Sequence, residues 1–287
     1  MTYNQKEQRL TEAETLTYVN WSGVELTELR FVVEPNRAAG QFALESITWA
    51  DGRPLEGYAL QGALLSLPLE NPLQPLRSVG VRINYTLRLP NAKGIFGYTP
   101  SQASLADWYP FVPPYLPEKG WLIHDPGSVG EYLVYDVADY WVNLKLEDIS
   151  PGLLIAANAP AEVSMDGTNY TFQLKNARHF VWSALMAHEL SMSSVDGVSI
   201  SQYTYPRHAD SASWVLQVAQ QSLQFYNQQF GPYPHASLTI IETDMFDGME
   251  YDGLYFLSQG YYDGHKPGTM EDYLTTLTAH EIAHQWW

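Results

Sequence analysis

The stretch "TAHEIAHQWW", residues 278–287, sets two histidines four apart around a glutamate. Residues four apart on a helix lie one turn apart on the same face, so His280 and His284 can aim both imidazoles at one point, with Glu281 beside them. Zinc held there would act as a Lewis acid and lower the pKa of a water to roughly 7. A neighbouring carboxylate can take that water's proton as it attacks a carbonyl. The bland alternative is a helix with two ordinary histidines. The helical context and the acidic surroundings favour the metal. Catalytic zinc normally takes three protein ligands plus water, and this helix supplies two.

Some thirty residues upstream stands "DGMEYDG", residues 247–253, between two strand-like runs, "SLTIIET" (237–243) and "GLYFLS" (253–258). A Gly248-Met249-Glu250 segment on an edge strand can present Glu250 to a groove where an extended peptide adds as a further strand. A carboxylate in that position can pair with a peptide's α-ammonium and so confine cleavage to the first residue. Taken alone, the motif is weak, and an acidic β-turn is the commoner explanation of the segment. The downstream helix gives it meaning.

The rest of the chain divides by periodicity. From the start to about residue 204 the pattern is that of strands. "ETLTYVNW" (14–21), "LTELRFVV" (26–33), "SVGVRINYTLRL" (78–89) and "YWVNLKLED" (140–148) alternate or are rich in β-branched and aromatic residues. Asp51-Gly52, Asp166-Gly167 and Asp196-Gly197 read as tight turns. The proline-rich "WYPFVPPYLPEKGW" (108–121) reads as a long ordered loop, since proline cannot serve a central strand. Beyond "YPRHADS" (205–211) the period changes. Val215, Val218, Ser222, Tyr226 and Phe230 follow at helical spacing after a cap at Asp210 or Ser211, and Gly231-Pro232 end the helix. A last helix is expected from about Thr269, with Thr269 and Asp272 as a capping box, and no residue that ends a helix follows it. The expected fold is therefore mainly β with an α+β C-terminal part. An antiparallel β sandwich or saddle occupies residues 1–204, and an incomplete α/β part carrying the metal helix occupies residues 205–287.

Composition narrows the function classes. The 287 residues carry a formal charge of −17, which repels nucleic-acid backbones and anionic lipid, so no nucleic-acid partner is expected. Residues 206–287 hold ten carboxylates against two basic side chains, together with five of the eight histidines. That concentration suits a cleft for a metal or a protonated amine. Cysteine is absent, which removes disulfides, thiol nucleophiles and thiolate metal sites. No apolar run is long enough for a membrane span. There is neither a Gly-x-Ser-x-Gly nucleophile elbow nor a phosphate-binding glycine loop.

Taken together, the two motifs resemble the membrane alanyl aminopeptidase family of gluzincins, with its His-Glu-x-x-His zinc helix and an upstream Gly-x-Met-Glu-Asn exopeptidase signature. "TLTYVNWSGVELTELRFVVEPN" (15–36) is similar to that family's N-terminal β domain, and "ARHFVWSAL" (177–185) to the strand before its catalytic domain. The resemblance extends over essentially the whole chain. It implies a thermolysin-like catalytic part, zinc on His280 and His284, Glu281 as general base, and Gly248, Met249 and Glu250 against a peptide with a free N-terminus. Asp247-Gly248 stands where the family has Gly-Ala, and Tyr251 where it has Asn, which marks a divergent branch. The family's third ligand, a glutamate, and its oxyanion-stabilising tyrosine would lie beyond Trp287. On that expectation the chain by itself is an inactive portion of a zinc aminopeptidase, with Trp286 and Trp287 deprived of a packing partner. An endopeptidase or an epoxide-hydrolysing relative would keep the family and change the reaction. From a different class, a β-rich peptide-binding or scaffolding module with a vestigial metal site would also carry these aromatics.

Overall fold

In the computed structural model, which describes residues 1–127 and 132–287, the chain forms two compact units. The first comprises Met1–Leu89, Asp107–Val137 and Leu144–Glu147. Its spine is an antiparallel pair, Arg9–Val19 on Ser78–Arg88, in continuous register from Arg9 opposite Arg88 to Val19 opposite Ser78. Alternation decides the inner face. Val81, Ile83, Tyr85 and Leu87 are fully buried, and burying each such apolar side chain contributes roughly 1.5–3 kcal/mol. Phe42–Trp49 pairs with the other edge of Ser78–Arg88, its register broken once between Leu44 and Ser46. A second sheet joins Leu26–Val32, Leu64–Leu73 and Ala59–Gln61 and contributes Leu29, Phe31, Leu65 and Leu67 to the buried set. The proline-rich segment 108–121 is a loop closed by a short hairpin of Tyr115–Leu116 with Gly120–Trp121, as its prolines require.

The second unit comprises Pro90–Ala106, Ala138–Asn143 and Asp148–Trp287. It holds a four-stranded antiparallel sheet and, nearer the C-terminus, a five-stranded mixed sheet. The mixed sheet runs in the order Glu189–Val195, Val198–Thr204, Ser237–Thr243, Leu254–Ser258, Gly248–Tyr251. Its inner pairs are parallel and its outer pairs antiparallel. Asp196 (φ 50°) and Gly197 (φ 83°) turn the first hairpin, both in the left-handed region that a tight Asp-Gly turn demands. The sheet thus draws strands from both sides of residue 204. The change of period at 205 marks where a helix begins, whereas strand pairing ignores that mark: Val198–Thr204 lies parallel to Ser237–Thr243.

Helix α1 (Ala209–Phe230) crosses between those two parallel strands, and its buried residues Ala212, Val215, Ala219 and Leu223 pack in one cluster with Ile200, Leu238, Ile240 and Tyr255. It ends at Gly231 as expected, but no side chain caps its start: Ser211 Oγ donates back to the His208 carbonyl at 3.2 Å. A short helix α2 (Gln259–Asp263) follows the Leu254–Ser258 strand, its first turn capped by Ser258. Helix α3 spans Tyr273–Ala283 and starts later than the expected Thr269. Thr269 Oγ1 is bonded to the Lys266 carbonyl, and the Asp272 carboxylate takes His265 Nδ1 at 3.0 Å and Thr275 Oγ1 at 2.5 Å. No capping box is left to start the helix sooner. Among the described residues no helix is long and apolar enough to cross a membrane.

The C-terminal tryptophans correct an expectation. Trp286 is partnered: its Nε1 donates to the Gly231 carbonyl at 2.9 Å, and its ring lies 5.5 Å from Tyr226 and 5.8 Å from Tyr233. The aromatic side chains at the end of α1 do what a further element was expected to do. Trp287 remains largely exposed, edge-on to Phe230 at 4.6 Å.

Candidate metal centre and recognition strand

Helix α3 is pinned along its length before it reaches the histidines. Trp214 Nε1 of α1 donates to Thr275 Oγ1 at 2.6 Å, Tyr226 Oη donates to the Ala279 carbonyl at 3.1 Å, and Leu274 and Ile282 are buried in the α1–sheet cluster. His280 faces solvent, His284 is half-buried, and Glu281 is 3% exposed.

The imidazoles meet at their Nε2 atoms, 3.2 Å apart, with ring planes at 86°. Two nitrogens each about 2.0–2.1 Å from a tetrahedral zinc lie about 3.3–3.4 Å from one another. The spacing therefore fits a shared metal, and zinc suits a donor set of two imidazoles beside carboxylates. Glu250 Oε1 lies 3.6 Å from Nδ1 of His284. Glu250, Glu281 and His284 each bring one ligand atom within 4.8 Å of the others. The sequence-derived residues Glu250, Glu281 and His284 are therefore brought together, with His280 against His284, although Glu250 stands 30 positions before His280 in the chain. His265 is not among them, being engaged with Asp272.

Gly248–Tyr251 is the edge strand of the five-stranded sheet, paired on one side only, with Glu250 opposite Tyr255. Its alternation divides the motif. Gly248 and Glu250 share the face turned to α3, while Met249 packs with the apolar cluster of Leu254, Phe256 and Met245. What Met249 can offer a ligand is thus its backbone. Gly248 lies directly beneath Glu281: a Cβ at this position would overlap Glu281 Oε1 and come within 2.8 Å of its Cδ. This glycine is the space in which the buried carboxylate sits.

Both ends of the strand are tied down. At its start Asp247 adopts φ 68°, its carbonyl accepts from Ser258 N at 3.0 Å, and its carboxylate accepts from Tyr261 Oη at 2.8 Å. Beyond its end, the Asp252 carboxylate takes the Arg178 backbone N and Nη2, both at 2.5 Å, and the Asp252 carbonyl accepts from Asn158 Nδ2 at 2.8 Å. Burial pushes the Asp252 carboxyl up, but the Arg178 contacts outweigh it and hold the group below the usual carboxylate range. Burial also lowers His179, edge-on to Tyr251 at 5.2 Å, to a pKa of about 4, so it is neutral beside the turn. Gln285, which no motif flags, reaches the same turn with both ends of its amide.

The chain matches the crystal structure of a mutant M1 zinc metallopeptidase from Deinococcus radiodurans with a TM-score of 0.63 and 15% sequence identity. The match covers 99% of this chain and 62% of that one, so these residues span less than two thirds of the structure they resemble. At that identity the likeness is one of fold: a mainly β chain with a C-terminal helical part. No protein-family profile matches the sequence, and no curated protein does.

Proposed function

We propose that these residues form the β-rich part and the metal helix of a zinc aminopeptidase of the membrane alanyl type, acting on peptides with a free N-terminus. The observation that carries the reading is the convergence of Glu250, Glu281 and His284 within 4.8 Å, with His280 Nε2 3.2 Å from its neighbour's. His280 and His284 would hold the metal. Zinc, when bound, supplies Lewis acidity and a water of lowered pKa. Glu281, buried above Gly248, takes the proton of the attacking water on its carboxylate and passes it to the leaving amine. Glu250 holds the substrate α-ammonium, and residues 248–250 of the edge strand can offer backbone groups to an extended peptide. The pairing of a recognition carboxylate with the metal helix favours removal of single N-terminal residues over internal cleavage.

The test is Glu250→Ala in the full-length protein. A charged hydrogen bond is worth roughly 1.5–3 kcal/mol, so kcat/KM for a free-amine aminoacyl substrate should fall about 10- to 150-fold. The N-acetylated analogue, which has no ammonium to hold, should lose much less. Equal loss on both would make the turn structural and end the exopeptidase assignment.

The ligand count carries a second expectation. Helix α3 and the residue that caps its end bring two imidazoles where catalytic zinc normally takes three protein ligands. We therefore propose that the third ligand is supplied by further chain, and that the 287 residues by themselves hold zinc loosely and are inactive. Calorimetry should show weak zinc binding, readily reversed by a chelator, beside tight binding by the longer protein. Tight binding with turnover by the 287 residues would instead make Glu250 a ligand.

A further inference from the structure

Gln285 follows directly on His284 and closes a bridge from the metal helix to the recognition strand. Its Oε1 accepts from Gly253 N at 2.9 Å, and its Nε2 donates to the Tyr251 carbonyl at 3.1 Å. The partners are Tyr251, the last residue of the strand that carries Glu250, and Gly253, the second residue of the Asp252-Gly253 turn that follows it. A primary amide accepts on its oxygen and donates from its nitrogen, which suits this pair of partners. A carboxylate accepts but cannot donate, and an apolar side chain does neither. Below Gln285 the backbone tightens, with Gln285 N on the Ile282 carbonyl at 3.1 Å and Trp286 N on that of Ala283 at 3.0 Å. The amide therefore has a rigid base.

The turn it grips is rigid from its other side as well. Gly253 has φ +78°, and a Cβ there would lie 2.8 Å from the Asn158 carbonyl oxygen, whose side chain in turn holds Asp252. With Asn158 and Arg178 on one flank and Gln285 on the other, the turn has little freedom to slide. Gln285 is the member of this set that lies on the turn continuing α3, one residue after His284.

We propose that Gln285 is a positioning residue, setting the distance between Glu250 and the His280–Glu281–His284 face by clamping the turn after the recognition strand to the end of the metal helix. Its functional consequence rests on the aminopeptidase reading: a substrate held by its ammonium at Glu250 must place its first carbonyl at the metal. A misplacement of about 1 Å can cost about 10²-fold in rate.

The experiment combines a double-mutant cycle with amide exchange in the full-length protein. Gln285→Met keeps the length of the side chain and removes both hydrogen bonds. It should leave zinc content unchanged and lower kcat/KM for a free-amine aminoacyl substrate about tenfold or more. In the Glu250→Ala background the same change should cost less than about twofold, because a residue that acts through Glu250 has nothing left to position. Gly253 N–H should exchange faster in Gln285→Met and stay protected in Gln285→Glu, which retains the acceptor. Equal losses in both backgrounds would show a merely structural role and overturn the proposal, as would unchanged Gly253 exchange. Failure of the aminopeptidase reading is seen separately: Glu250→Ala alone would then fail to discriminate free-amine from N-acetylated substrate, while Gly253 exchange still reports whether the clamp exists.

Discussion

On the aminopeptidase reading proposed above, glutamine in place of Glu281 should lower peptide hydrolysis by the full-length protein about 10²- to 10⁴-fold, the range lost with a positioned general base, while zinc content stays the same. The side chain is 3% exposed and sits over Gly248, so a substitution of equal volume is the one that removes basicity without repacking. Neither imidazole is touched, and the 3.2 Å spacing of their Nε2 atoms does not depend on the charge of Glu281. Metal analysis and steady-state kinetics on an aminoacyl substrate decide it. Turnover within about threefold of the unsubstituted protein would remove Glu281 from the chemistry. Loss of zinc along with activity would mean that the buried carboxylate supports the helix instead.

What could be read from the sequence, and what could not, follows from the range of each interaction. The closeness of the two imidazoles is legible because its decisive geometry is local: a spacing of four residues fixes the relation of His280 to His284 whatever surrounds them. Glu250 is only half legible: its segment reads as an acidic turn or as an edge strand, and the pairing of Gly248–Tyr251 with Leu254–Ser258 decides for the strand. The sheet order is another matter. That Val198–Thr204 pairs with Ser237–Thr243 as well as with the preceding Glu189–Val195 depends on parallel pairing across α1, which leaves no trace in the strand's own period. The acidic, histidine-rich C-terminal part suggests a cleft for cations, yet two of its histidines are engaged internally. His208 is buried between Glu242 and Asp263 at 2.6 and 2.7 Å, and His265 is bonded to Asp272. Composition counts such groups without showing which of them face one another. Gln285 escapes for the same reason, since an amide next to a metal histidine looks like any polar residue until its two partners are in place.

Gly248 is the clearest case of a residue whose reason lies wholly in tertiary contact, and it yields the second large effect. By sequence the glycine is a departure from the family's alanine. In the structure it is where the Glu281 carboxylate rests, close enough that a Cβ would overlap Oε1. Gly248 is not among the positive-φ residues, so an alanine meets no backbone strain there and any penalty comes from Glu281 alone. Gly248→Ala should therefore destabilise the protein by about 1–3 kcal/mol, the usual cost of overpacking a filled site. Displacement of the carboxylate should lower kcat by up to about 10²-fold. The sign of the effect should then reverse when Glu281 is removed. With Glu281→Ala already in place, the obstructing carboxylate is gone and Gly248→Ala acts only on the strand, where alanine loses less backbone entropy than glycine. In that background the substitution should be neutral or mildly stabilising. Denaturant unfolding of the four proteins measures this coupling directly. A cost that stays the same with and without Glu281 would show that the glycine answers to some other neighbour and that the carboxylate is free to move aside.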